Sequence, residues 1–327
     1  MRSSSCSIME GIMQQENTKQ LARNMKWKKA LTYIKRNKYF YLLLLPGLVY
    51  YIVFHYVPMY GIVIAFKDFS FKKGIFGSEW IGLENFRYLF SLNEFWNVFK
   101  NSLILSLLRL FASFPASIIL ALMLNEIKNR KYQRITQTLV YLPHFISWVV
   151  LGGIMVNFLS PTWGVINQIL KFFGHEAVFF MGKAEYFRPN IVVSSIWKEA
   201  GWGTILYLAA MTGINTELYD AAAVDGANRI QRMRYITLPG IRTTIVLSFI
   251  LKTGSLMSNG FEQIYILQNS QNISVSEVFE TYTYKQGLGN GRYSFSTAVG
   301  LFTTVISLIM MLITNFIAKK VGEESLW

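Results

Sequence analysis

The chain has 327 residues, 52% of them hydrophobic and only 15% charged, with a formal net charge of +14. About a quarter of the residues of an ordinary soluble domain are charged, so these proportions exclude that class. The basic residues fall between long apolar blocks and form no single stripe, which excludes a nucleic-acid-binding surface.

A helix of roughly 20 apolar residues crosses a bilayer, because in lipid every backbone N–H and C=O has to be satisfied within the segment. Six blocks reach that length, at 39–66, 98–124, 135–159, 189–214, 244–267 and 295–318. The expected fold is an all-α membrane protein with six transmembrane helices. Residues 1–38 read as a cytoplasmic arm, disordered through Gln20. The single cysteine, Cys6, excludes an internal disulfide and a multi-cysteine metal site. It reads as an incidental thiol, since the Arg-Ser-Ser-Ser ahead of it is not the apolar run that lipidation requires. The first block is too long for the apolar part of a signal peptide and no small-residue cleavage pattern follows it, so it is expected to stay as an anchor.

Lys and Arg divide unevenly between alternate loops, with nineteen in 1–38, 125–134, 215–243 and 319–327 against nine in 67–97, 160–188 and 268–294. The positive-inside rule places both termini in the cytoplasm. Pro46, Pro58, Pro115 and Pro143 lie inside blocks and are expected to kink them, while Gly152, Gly153 and Gly201 allow helices to approach closely.

Between the fourth and fifth blocks, residues 217–240 are too polar to span and too patterned for a linker. Asn215 or Thr216 can cap a short helix, with Glu217 and Asp220 near its positive end, and Gly226 can end it at positive φ. A second helix is expected at 229–236, closed by Pro239. Ala221, Ala222 and Ala223 leave the first helix almost without side-chain bulk, so another protein can approach its backbone. Arg229, Arg232 and Arg234 suit acidic residues of such a partner, or lipid headgroups. A solvated surface helix is the other reading of the same residues.

Asp220-Ala221-Ala222, followed by Asp225-Gly226-Ala227 and then Ile236, Leu238 and Pro239, resembles in type and spacing the EAA loop of permease subunits of binding-protein-dependent ABC importers. Asp220 stands where that family usually has Glu, and Thr243 where a second Pro is often found; Asp keeps the charge. The resemblance runs from residue 39 through the last block and includes GLENFR at 82–87 and YLPH at 141–144. IWKEAGWG at 196–203, GFEQIY at 260–265 and YSFSTAVG at 293–300 look closest to permeases importing oligosaccharides or polysaccharide fragments.

The resemblance implies a type I importer permease in a bacterial cell membrane, with a six-span domain at 39–318 and a tail at 319–327. It implies a coupling helix within 215–243, with Asp220, Ala221, Ala222, Ala223, Asp225, Gly226, Ala227, Arg229, Leu238 and Pro239 docked on a separate ATPase. A second permease subunit, two ATPase domains, an extracellular solute-binding protein and a carbohydrate substrate follow from it. ATP and Mg belong to the ATPase, since the sequence has no Gly-x-x-x-x-Gly-Lys-Ser/Thr loop. No catalytic residue, metal or cofactor is expected on this chain.

Ionisable groups inside spans are costly and usually face a cavity or a partner. Lys100 is expected to snorkel from an outer edge, and Arg109 to lie deeper, against a carbonyl, an ion-pair partner or a solute. Glu199, flanked by Trp197 and Trp202, and Glu262, beside Phe261 and near Asn259, combine groups that bond sugar hydroxyls with rings that cover C–H faces. The structural alternative pairs the glutamates with Lys198 or Lys252 and uses the tryptophans as interface anchors. His55, His144 and His175 read as scattered and partnerless. The Tyr- and Gly-rich stretch 268–294 is either a platform for the solute-binding protein or a plain connector. Permease for another small solute, an ion-driven transporter, for which no internal repeat is visible, and a membrane enzyme complete the alternatives.

Overall fold

A computed structural model describes residues 32–33 and 35–322. Cys6, most of the amino-terminal arm and the end of the tail lie outside the described residues. The chain separates into two units, Met1–Ile62 and Val63–Trp327. In the first, α1 (Lys38–Tyr51) continues through a π turn at Ile52–Tyr56 into a further turn at Val57–Met59. The π turn has a local cause. Pro58 offers no N–H to the Phe54 carbonyl and its ring would crowd that oxygen in a regular α-helix, so a wider turn precedes it.

The second unit opens with a short antiparallel pair, β1 (Lys67–Asp68) and β2 (Glu79–Trp80), followed by α2 (Glu84–Ser91). Its backbone is the pair formed by α3 (Asn93–Asn125) and α7 (Ala184–Met211), the most extensive helix contact among the described residues. Between them come α4 (Arg130–Tyr141), α5 (Trp148–Phe158) and α6 (Val165–Phe172). After them come α8 (Thr216–Val224), α9 (Arg229–Arg232), α10 (Arg242–Gly254) and α11 (Phe261–Leu267). The chain finishes with α12 (Ile273–Ser276), α13 (Phe279–Tyr284) and the long α14 (Tyr293–Lys320).

Three apolar clusters succeed one another along α3. Phe95 and Val98 pack with Phe279, Tyr282, Phe295 and Val299; Leu105 packs with Phe187, Ile191 and Ile264; Ala121 and Leu122 pack with Tyr207, Met211 and Ile241. Apolar side chains such as Leu107, Phe111, Val193, Leu312 and Phe316 are exposed instead, as expected for helices whose outer solvent is lipid.

Lys38–Phe66, Asn93–Asn125 and Tyr293–Lys320 are each long and apolar enough to cross a membrane. Two bent pairs raise the number to five if each pair is one crossing. The block 135–159 is not one straight helix: Arg130–Phe145 and Trp148–Phe158 meet at 97°, because the chain tightens into a 3-10 turn at Leu142–Phe145 around Pro143 and restarts on the Ser147 cap. The block 244–267 is interrupted as well. α10 ends at Gly254, Gly260 takes φ +77, and α11 starts afresh. α7 has the length of a span, but polar residues including Lys198 and Glu199 dilute its apolar character.

Close approach is real at two of the three expected glycines. A Cβ on Gly201 would lie 1.9 Å from the Val140 carbonyl oxygen where α7 crosses α4, and one on Gly152 would lie 2.4 Å from Ile266 Cγ2; one on Gly153 would meet nothing within 4 Å. The stretch 268–294 is no plain connector. Its short helices bury Phe279, Thr281 and Tyr282 against α3 and α14, and Lys285 Nζ lies 2.6 Å from both Glu277 Oε2 and Gln268 Oε1.

Candidate functional site

A cavity of about 1040 Å³ opens between α3, α7, α10 and the start of α11, lined among others by Arg109, Ser113, Glu199, Trp202, Lys252 and Gln263. Its wall is set by the bend between α4 and α5. The break leaves backbone carbonyls without helical partners, and the buried Lys198 ammonium answers them, donating to the His144 carbonyl at 2.5 Å and the Ile146 carbonyl at 2.6 Å. Lys198 is therefore a structural cation.

Its neighbour Glu199 turns to the bend from the cavity side. His144 Nδ1 stands 2.9 Å from Glu199 Oε2, whereas Lys198 Nζ is 4.0 Å from Oε1. The His144 ring lies flat on Trp202, centroids 4.4 Å apart and planes at 4°. His144 thus has the partners that the sequence did not reveal. They lie far along the chain, and the only local signal was the histidine's place just after Pro143.

The break after α10 is held from two sides. The Asn259 N–H donates to Glu280 Oε2 at 3.1 Å and Ser258 Oγ donates to Glu280 Oε1 at 2.8 Å, while the Asn259 carbonyl accepts from Arg109. Arg109 also donates to Gln263 Oε1, and Gln263 Nε2 donates to Ser194 Oγ at 2.8 Å and to the Ile191 carbonyl at 3.0 Å. One polar network therefore joins α3, α7, α11 and α13. Arg109 Nε is buried and without a hydrogen-bond partner among the described residues. Of the four residues expected along a solute path, Glu199 and Trp202 line the cavity, Asn259 is fully buried in its wall, and Glu262 is exposed on α11 outside the lining. A second cavity of about 830 Å³, bordered by Phe261, Glu280 and Tyr284, shares Ser255 and Ser258 with the first.

The polar loop folds into the two helices expected of it, with one difference. Asn215 accepts from the Glu217 N–H at 3.0 Å to start α8. Gly226 at φ +78 ends it, with the Ala227 N–H on the Ala222 carbonyl at 2.8 Å and the Gly226 N–H on the Ala223 carbonyl at 3.2 Å. That pair of bonds is a Schellman end, which only a positive φ at the glycine permits. Asn228 and Gln231 form a capping box on α9. Pro239, however, does not close the second helix: a π turn at Met233–Thr237 leads into Leu238–Gly240, and the helix stops only at Ile241. The reason is the one found at Pro58, a widened turn ahead of the proline.

Asp220, Ala221, Ala223, Asp225, Gly226, Arg229, Leu238 and Pro239 are exposed, and Ala222 and Ala227 are half-buried. Three apolar residues not singled out in the sequence, Val224, Ile230 and Tyr235, are 88%, 75% and 70% exposed in this otherwise polar loop.

Broken apolar helices around a largely apolar cavity that carries Arg109, Glu199 and Lys252, together with a separately capped polar loop, define a membrane transport component. The family model for the binding-protein-dependent transport system inner membrane component matches residues 113–323, and the chain belongs to that family. It is similar to Protein LplB of Bacillus subtilis (strain 168), 47% identical over 93% of this chain and 95% of that protein. It is also similar to the polygalacturonan/rhamnogalacturonan transport system permease protein YteP of the same organism, 46% identical over 92% of this chain and 94% of that one. A solved structure of a bacterial ABC transporter involved in the import of the acidic polysaccharide alginate matches with a TM-score of 0.83 at 40% identity, covering 90% of this chain and 100% of that chain. The chain is therefore an inner-membrane permease subunit of an ABC importer and not itself an ATPase. Family membership sets aside the ion-driven and enzymatic readings.

Proposed function

We propose that this chain and a second permease subunit form the path by which oligosaccharides derived from a polysaccharide enter the cell. Separate ATPase subunits holding ATP and Mg drive the movement, and an extracellular solute-binding protein delivers the sugar. The observation that carries the reading is the cavity wall, in which Glu199 Oε1 is left over from the His144 contact and the Trp202 ring is half-exposed beside it. A carboxylate oxygen accepts sugar hydroxyls, and an indole covers the apolar face of a pyranose. Similarity to a polygalacturonan/rhamnogalacturonan permease and to an alginate importer supports a carbohydrate. Asn259 takes part by shaping the wall, and Glu262 serves only if the path extends beyond this cavity.

In this reading the six crossings are Lys38–Phe66, α3, the bent α4–α5 pair, α7, the interrupted block 244–267 formed by α10 and α11, and α14. Both termini and 215–243 are cytoplasmic, and 268–294 faces outward to the solute-binding protein. The segment 220–227 seats on the ATPase, whose closure shifts the permease between its arrangements by differential contacts there. With Cys6 replaced by serine, a cysteine at Asn228 should resist impermeant reagents on intact cells and one at Asn290 should react; the reverse labelling overturns the topology.

Glu199→Gln and Trp202→Ala should each slow uptake of a labelled oligosaccharide several-fold in the reconstituted complex, since a hydrogen bond to a neutral hydroxyl contributes about 0.5 to 1.5 kcal/mol. Wild-type rates in both would make these residues structural and move the path to the partner subunit.

A further inference from the structure

The charges around the cavity do not balance. Among the described residues Glu199 is the only carboxylate in the lining, and His144 already engages it. Arg109 is held by neutral acceptors, the Asn259 carbonyl and the Gln263 amide, and the nearby Glu280 lies outside this lining, bonded to the far side of the same break. Lys198 is occupied by backbone carbonyls. That leaves Lys252, on α10, which lines the cavity and makes no ion pair among the described residues. A lone ammonium within a membrane span is unfavourable unless it meets an anion or water. A neutral sugar supplies only hydroxyls, whereas a carboxylate makes a charge-assisted bond roughly twice as strong.

We propose that the substrate is an acidic oligosaccharide and that Lys252 receives one of its uronate carboxylates, with the Arg109 guanidinium, which lines the same cavity, adding positive field. The inference rests on reading this cavity as the solute path. It is consistent with the sugars named for the two related systems, polygalacturonan and alginate.

The test uses the complete importer in proteoliposomes and follows initial uptake of labelled trigalacturonate and trimannuronate beside their carboxyl-reduced counterparts. At least one acidic trisaccharide should enter, Lys252→Gln should slow it about tenfold, and Lys252→Arg should restore most of the rate. The solute-binding protein also selects, so binding to the detergent-solubilised permease and ATPase complex is measured without it. There the acidic sugar should bind more tightly than its reduced form, and the difference should shrink as salt rises. Wild-type uptake by Lys252→Gln, or equal binding of acidic and reduced sugars, overturns the inference and leaves the cavity as a path for neutral sugars. Uptake of none of the four by the wild-type complex overturns the reading of the cavity itself.

Discussion

Gly201→Ala is expected to yield little folded protein, although it adds a single methyl group. The new Cβ would sit 1.9 Å from the carbonyl oxygen of Val140 and 2.6 Å from its carbonyl carbon. When a flexible side chain is the obstacle, such overpacking costs about 1 to 3 kcal/mol. Here the obstacle is helix backbone, so α4 has to move away from α7 as a body. That movement would also withdraw the bend at Pro143, and with it the Lys198 contacts to the His144 and Ile146 carbonyls and the stacking of His144 on Trp202. The measurements are the yield of monodisperse protein in detergent and its melting temperature. Gly153→Ala serves as the control, since nothing lies within 4 Å of its added carbon. Indistinguishable behaviour of the two variants would show that α4 and α7 do not pack this tightly in the membrane.

Gly226→Pro is expected to abolish import while leaving insertion intact. The native φ of +78 lies far from the value near −65° that the pyrrolidine ring imposes, and the lost N–H removes the bond to the Ala223 carbonyl. The Schellman end would open, so that α8 and the capping box of α9 lose their relative placement. Gly226→Ala, strained by about 1 to 2 kcal/mol for a left-handed alanine, should give an intermediate loss. Ala222→Trp puts bulk on a half-buried position of α8 and should likewise prevent seating on the ATPase. The readout is sugar uptake per ATP hydrolysed in the reconstituted importer. Normal transport by Gly226→Pro and Ala222→Trp at normal expression would remove the docking role from this loop.

Both experiments probe positions recognisable in the sequence, yet for different reasons. Helix α8 was legible because its determinants, Asn215, the alanines and Gly226, lie within a few residues of one another and act through local backbone geometry. The apolar blocks and the uneven distribution of basic residues were legible too, since the bilayer sorts both by composition. Pro239 misled because a proline can be absorbed by a wider turn as well as end a helix, and nothing local distinguishes the two outcomes. Glu199 and Glu262 looked alike along the chain, each an acid beside aromatic residues. Only the tertiary structure separated them, because successive positions on a helix point about 100° apart, and which direction faces the cavity is decided by how the helix packs. The same holds for His144 with Glu199 and for Arg109 with Asn259 and Gln263. Those contacts join helices distant in sequence, and they exist only because the breaks near Pro143 and Gly260 turn short pieces of backbone toward one another.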